Sequence, residues 1–426
     1  MRLFLWTLFF VFLAPFANAQ NFTDYFVDKT LRIDYLLSGD AQKQAIYVDE
    51  LSSLPQWAGR RYHLSEPPLK GNGQTVVTDS LSGTRIYANS FSSLFLEWIS
   101  TKEAKLLPKG FEHTVLIPFP KRTVKVETTL YNSSNVPIAC VVHYINPSDI
   151  LIHAKGVSNI PSYKYLQKGG SYADCIDVAI VGEGYTALEM NRFYDDASVA
   201  CESLFDHEPF KSMKSRFNVV AVATPSIDSG VSIPDKGDWK NTAFMAHFDT
   251  FYSDRYLTTT HIKAINDAVA GIPYEHLIVL ANTEKYGGGG IYNDITLTAA
   301  HHYKFRPVVV HEFGHAFGGL ADEYWYDGDV MDDTYPLNVE PWEQNITTRV
   351  DFASKWQDLL KKGTPIPTLP KDKEKYAVGL YEGAGYSGKG IYRASYDCRM
   401  RTNECPTFCP VCRRALQRMI DFYTMP

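Results

Sequence analysis

The sequence has little positive charge to spare. Its 42 Lys and Arg stand against 48 Asp and Glu, a formal net charge of -6. Nucleic-acid binding normally shows a basic excess or a basic stripe, so that class of function gets no support here. Beyond the first twenty residues there is no apolar run of the roughly twenty residues that span a bilayer, and no stable membrane insertion is expected. Neither an internal repeat nor a low-complexity segment is present. Cysteine is scarce and odd in number: seven residues, at 140, 175, 201, 398, 405, 409 and 412, leave at least one thiol free or paired between molecules.

What is present begins with a leader. Arg2 is followed by an apolar stretch from Leu3 to Phe16, broken only by Thr7, and then by the small-x-small triplet Ala17-Asn18-Ala19. The pattern predicts a signal peptide over residues 1–19 and a mature chain starting at Gln20. The apolar core of about fourteen residues is too short for a membrane anchor. No Cys follows the cleavage point, so a lipoprotein anchor is not indicated. The expected destination is the periplasm, the cell surface or the medium, where disulfides are allowed.

A chain of 426 residues is long for one core, and two domains are expected. Residues 20–165 read as β-structure. Arg122 to Leu130 alternates polar and apolar, and short runs at Thr84–Ala88, His113–Ile117 and Ala139–Ile145 are separated by Pro, Gly, Asn and Ser. That predicts an antiparallel β-sandwich. From residue 166 to 426 the pattern changes. Buried-strand runs at Cys175–Val181, Phe217–Ala223 and His276–Ala281 alternate with helical stretches at Leu188–Phe205 and Ile262–Ala270, which predicts an α/β domain. The fold class is thus α+β in two domains. Aromatics are plentiful at 14%, which suits β-structure and surfaces that bind polymers; a glycan or surface contact through the N-terminal domain is one such expectation.

The chemistry concentrates in Pro307 to Tyr324. His311 and His315 lie four residues apart, which on a helix stacks both imidazoles on one face so that they can share one metal ion. Glu312 sits about 100° around that helix, beside the metal rather than facing it. That is the place for a general base. Gly318 and Gly319 are expected to end the helix and turn the chain back. The alternative is a buried amphipathic helix with two hydrogen-bonded histidines. Zinc in catalytic sites takes three protein ligands and leaves one position open. Asp322, just past the turn, is the favoured third ligand and Glu323 the second choice. A neighbouring acid can instead support a ligating histidine. Asp327, Asp329, Asp332 and Asp333 read as a solvated loop or a calcium site. His301 and His302 read as structural or surface residues.

His311-Glu-x-x-His315-x-x-Gly318 resembles the start of the metzincin signature, which would place its third ligand at Ala321; this chain departs from that pattern, with Asp322 one residue later. The fuller string to Tyr324, together with Cys398-Arg-Met-Arg401 and Phe408-Cys-Pro-Val-Cys412, resembles the IgA-peptidase family of bacterial zinc peptidases, M64. The resemblance implies a β-sandwich-like domain ahead of a metzincin-like peptidase domain. It also implies that Met400 forms the hydrophobic floor of the metal site. Cys409-Pro-Val-Cys412 looks like half a zinc knuckle or a redox pair, but in an exported protein disulfides that pin the turn are favoured. The Tyr286-Gly-Gly-Gly-Gly290 segment would let the backbone turn sharply or approach closely. The strand after it, Ile291–Leu297, is expected to be an edge that binds an extended peptide.

The expected activity is hydrolysis of peptide bonds in extracellular proteins or peptides, with Glu312 moving the proton and Tyr324 or Arg401 assisting at the carbonyl oxygen. An exopeptidase or amidase acting on small or cell-wall peptides would keep the same centre. A non-catalytic binding protein on a peptidase scaffold would be expected to have lost Glu312 or a histidine, and this chain keeps all three.

Overall fold

The computed structural model describes residues 21–326 and 334–426. The expected leader and the acidic positions Asp327, Asp329, Asp332 and Asp333 lie outside the described residues. After a short helix α1 (Phe22–Tyr25), strands β1 (Phe26–Gly39), β2 (Gln44–Leu54), β5 (Lys109–Pro120) and β8 (His153–Ala154) make one sheet in the order β5-β1-β2-β8. Strands β3 (Gly73–Asp79), β4 (Arg85–Phe91), β6 (Val124–Tyr131) and β7 (Pro137–Ile145) make a second, in the order β4-β3-β6-β7. Alternate residues point inward, as in β3, where every second position is buried. Leu31 and Ile33 from the first sheet and Val77 and Val126 from the second fill one core. Helix α2 (Leu94–Trp98) adds Phe95 and Trp98 to it.

A different kind of strand follows. β10 (Ile176–Glu183), β11 (Phe217–Val222), β12 (His276–Ala281) and β14 (Ile295–Ala299) are buried at every position. They run parallel to one another and are covered on both faces, which is why they read as unbroken apolar runs. Antiparallel β9 (Tyr163–Lys168) and β13 (Gly288–Gly290) close the ends, giving the order β13-β14-β12-β10-β11-β9. Ile176, Val178 and Ile180 point to the face covered by α3 (Met190–Phe205), α5 (Phe305–Ala316) and α6 (Pro410–Thr424). Ala179 and Val181 point to the other, where α4 (Ile262–Ala268) packs. A small sheet of β15 (Ile346–Thr347), β16 (Tyr381–Ala384) and β17 (Ser387–Arg393), in the order β15-β17-β16, lies beyond. The protein is therefore mixed α/β with several sheets and few helices.

A buried arginine joins the two regions. Arg32 of β1 is fully buried; its Nε donates to Asp34 at 2.8 Å and its Nη1 reaches Asp267 of α4 at 2.6 Å. Removing one partner of a buried pair such as Arg32–Asp34 typically costs about 3–5 kcal/mol. Much of the aromatic content is also core. Phe210, Phe217, Phe317 and Tyr423 pack beneath α5, and Phe313 and Phe317 stack with centroids 5.3 Å apart.

His276 lies in that aromatic nest, 5.0 Å from Phe317 and 5.5 Å from Tyr423 between ring centroids. Burial disfavours its charged form and pushes its pKa down to about 3. A depressed folded-state pKa contributes stability that is complete above about 6.5, the unfolded value, and is lost as pH falls toward about 3, at up to roughly 1.4 kcal/mol per pH unit. Denaturant titrations between pH 7 and pH 4 should show wild type losing stability more steeply than His276→Phe. Equal slopes would contradict the burial argument.

Candidate metal centre

Helix α5 buries Val308, Val309, Val310, Phe313 and Ala316, leaving His311, Glu312 and His315 on its half-buried side. The helix ends as its glycines require. Gly319 takes the left-handed conformation at φ 56°, and its N–H donates to the His315 carbonyl at 2.9 Å. The chain then doubles back and brings Asp322 onto the histidines.

Three atoms meet there. His311 Nε2 is 3.0 Å from His315 Nε2 and 3.0 Å from Asp322 Oδ1, and His315 Nε2 is 3.3 Å from the same oxygen. The far nitrogens are committed elsewhere: His311 Nδ1 donates to the Arg399 carbonyl at 2.9 Å and His315 Nδ1 to the Leu320 carbonyl at 2.5 Å. A neutral imidazole that donates from Nδ1 has only a lone pair at Nε2. Two imidazole nitrogens and a carboxylate oxygen therefore converge on one point, and the pocket attracts positive charge, whether a proton or a cation. Burial works against the charged form of His315, yet the Asp322 carboxylate overrides it and raises the pKa to about 9. Asp322, despite its own burial, is held well below the usual carboxylate range by the two imidazoles. The spacings suit a tetrahedral cation with bonds of about 2.0–2.1 Å, whose ligand atoms stand roughly 3.3 Å apart. The outward Nδ1–H bonds to carbonyls are the usual orienting partners of ligating histidines.

Of the two adjacent acids, Asp322 faces this triangle and Glu323 turns away. Glu323 Oε1 accepts from Asn345 at 3.0 Å and from the Cys412 thiol at 3.1 Å. Glu312 lies beside the triangle; burial pushes its pKa up, and the two imidazoles pull against that. Met400 is fully buried beneath α5, its sulfur 2.8 Å from where a Cβ on Gly314 would stand, and its carbonyl accepts the Glu323 N–H at 2.8 Å. The Tyr324 hydroxyl bonds Asp322 and interacts with the Glu312 charge. Arg401 instead pairs with Asp397 at 3.6 Å and lies over Tyr396. His301 pairs with Asp196 at 2.7 Å, away from the triangle.

Three contributors left no mark in the sequence. The Tyr386 hydroxyl donates to Asp322 Oδ2 from 64 residues downstream. From the N-terminal region, Glu97 of α2 accepts a hydrogen bond from Tyr256, and the Tyr256 ring lies against Gly289. The glycine segment also differs from expectation. Ile295–Ala299 is not an edge, because β12 and β13 flank it; the edge strand is Gly288–Gly290 itself. It had no side-chain pattern to betray it. The expected pinning disulfides are not formed either: all seven cysteines are free, and Cys398 Sγ stands 3.7 Å from Cys412 Sγ.

Converging lone pairs on a helix, with a carboxylate beside them and an open sheet edge above, make the kind of site that metal-dependent hydrolases use. Comparison with known families places the chain more closely. The model of the IgA Peptidase M64 family matches residues 165–377 and 369–420, and that of the Peptidase M64 N-terminus matches residues 21–140. The chain belongs to the IgA peptidase M64 family, whose members are metallopeptidases, and the two matches fit a two-domain protein. No curated protein matches it.

The glycines of β13 are needed for close approach. A Cβ on Gly290 would sit 2.1 Å from the Glu312 carbonyl and 2.9 Å from His315 Cβ. Gly290→Ala should therefore destabilise the protein by about 3 kcal/mol and cut metal affinity, whereas Gly237→Ala, a turn glycine with nothing within 4 Å, should leave metal affinity unchanged. Denaturation and metal titration of both variants provide the check.

Proposed function

We propose that this is a secreted zinc peptidase in which His311, His315 and Asp322 hold the ion and Glu312 is the general base. The convergence of two imidazole nitrogens and a carboxylate oxygen, each oriented from behind, carries this reading. Two imidazoles and one carboxylate are a ligand set of catalytic zinc, which keeps a further position free. On this reading residues 20–165 are an antiparallel β-sandwich domain and residues 166–426 a metzincin-like peptidase domain. The leader pattern at residues 1–19 supports export.

Zinc at this place would supply Lewis acidity, acidifying a water and polarising the scissile carbonyl. The chain's own groups do the rest. The substrate lies extended along the free edge of β13, bound through main-chain hydrogen bonds, and the absence of side chains there lets it reach Glu312. Gly288 supports this, since its Cβ position is 3.4 Å from Glu312 Oε1. Glu312 takes a proton from the attacking water and passes it to the leaving nitrogen. Its raised pKa makes it a better proton acceptor than an exposed glutamate. Tyr324 donates to the carbonyl oxygen as negative charge builds, and Tyr386 steadies Asp322. A strand edge that accepts a chain on both sides of the bond favours endopeptidase activity.

The test is to purify the mature chain with Glu312→Ala, Tyr324→Phe and His315→Ala, count zinc per chain, and assay each on a broad peptide library. Glu312→Ala should keep the wild-type zinc content and lose about 10²–10⁴-fold in rate. Tyr324→Phe should lose about 10²-fold in kcat with little change in KM. His315→Ala should lose one zinc relative to wild type. Unchanged cleavage by Glu312→Ala, or unchanged zinc in His315→Ala, would sink the assignment.

A further inference from the structure

A second convergence of ligand atoms lies behind the first. Glu323, Cys398, Cys409 and Cys412 each offer one atom, all within 4.8 Å of one another. All four residues are buried, Glu323, Cys398 and Cys412 completely. Cys398 Sγ and Cys412 Sγ are 3.7 Å apart, and Cys412 Sγ is 3.1 Å from Glu323 Oε1. A disulfide needs about 2.05 Å between sulfurs. Sulfurs bound tetrahedrally at about 2.3 Å to one zinc ion stand roughly 3.8 Å apart, close to the spacing seen.

Backbone N–H groups are aimed at the sulfurs. The Cys409 N–H donates to Cys398 Sγ at 3.2 Å and the Cys412 N–H to Cys409 Sγ at 3.5 Å. Cys409 is the N-cap of α6, so the positive end of the helix faces the sulfurs. Glu323 Oε2 is buried without a hydrogen-bond partner. A buried carboxylate oxygen without a partner costs free energy unless something cationic binds it. Three thiolates and a carboxylate around a divalent ion leave two negative charges. The buried guanidiniums of Arg393 and Arg399 are near enough to interact with Glu323 and Cys398 respectively.

We propose that Glu323, Cys398, Cys409 and Cys412 form a structural site for a divalent cation, zinc by its ligand set, separate from the histidine centre. It ties together the loop after α5, the segment carrying Met400 and the start of α6. Glu323 adjoins Asp322, and its N–H is bonded to the Met400 carbonyl, so this clamp positions both the third ligand of the histidine centre and its floor. The four residues thus act as positioning residues.

The experiment uses the full mature chain purified without reductant and supplied with zinc. X-ray absorption at the zinc edge should show sulfur neighbours at about 2.3 Å in wild type, and almost only these in His315→Ala, which should retain one zinc per chain. Cobalt in His315→Ala should give a thiolate charge-transfer band that Cys412→Ser lacks. Cys405, outside the cluster, should alkylate readily in the native protein, while the other three resist until a chelator is added. A zinc shell without sulfur in wild type would overturn the proposal even if His315→Ala fails to fold. So would an intact mass two hydrogens short from a disulfide among these cysteines. Neither result depends on whether the histidine centre is catalytic.

Discussion

The candidate centre depends on how closely a bare backbone strand lies on a helix. Gly288, Gly289 and Gly290 bring β13 against Glu312 and His315 at distances that no side chain on Gly290 would permit. That contact places an unpaired sheet edge beside Glu312. It also leaves the histidines open to solvent from one side only, with 12% and 16% of their side chains exposed. The rest of the region serves this contact. The parallel strands give the edge a rigid backing, and the aromatic nest of Phe313, Phe317 and Tyr423 holds the far face of α5.

Positive charge is the second organising constraint. Acidic groups cluster around α5: Glu312, Asp322, Glu323 and, across the cleft, Glu97. In the protein alone, only the imidazoles and a few guanidiniums answer them. Two divalent ions would neutralise the cluster far better, and each would do so with the donors suited to it: nitrogen and oxygen at the exposed centre, mostly sulfur at the buried one.

What could be read in advance follows from how each residue is buried. β10, β11 and β12 were legible because strands covered on both faces must be apolar throughout. β6 was legible because one face alone is covered. β1 was not recognised, because its buried positions include Asp34 and Arg32, which pair with each other while Arg32 also reaches Asp267 of a helix more than two hundred residues away. The helix of His311 and His315 announced itself because its residue types and its spacing of four coincide in one short segment. Tyr386, Tyr256 and Glu97 could not be found that way, since only the folded chain brings them to the site. The cysteines were misjudged by compartment: an oxidising environment argued for disulfides, while the packing sets the thiols and Glu323 around a common point.

One small contact has a long reach. Asn293, at φ 52° in the turn between β13 and β14, donates its backbone N–H to the Ala316 carbonyl at the end of α5, and its side chain donates to the Ser90 carbonyl at 2.8 Å. The helix bearing the histidines is thus fastened, through one residue, to β4 in the N-terminal region. Ribosomes deliver that region first. By the time Asn293 is made the stretch of chain that anchors it has already been synthesised. Order of synthesis thus runs with the structure: the helix is made after the strand to which it is tied.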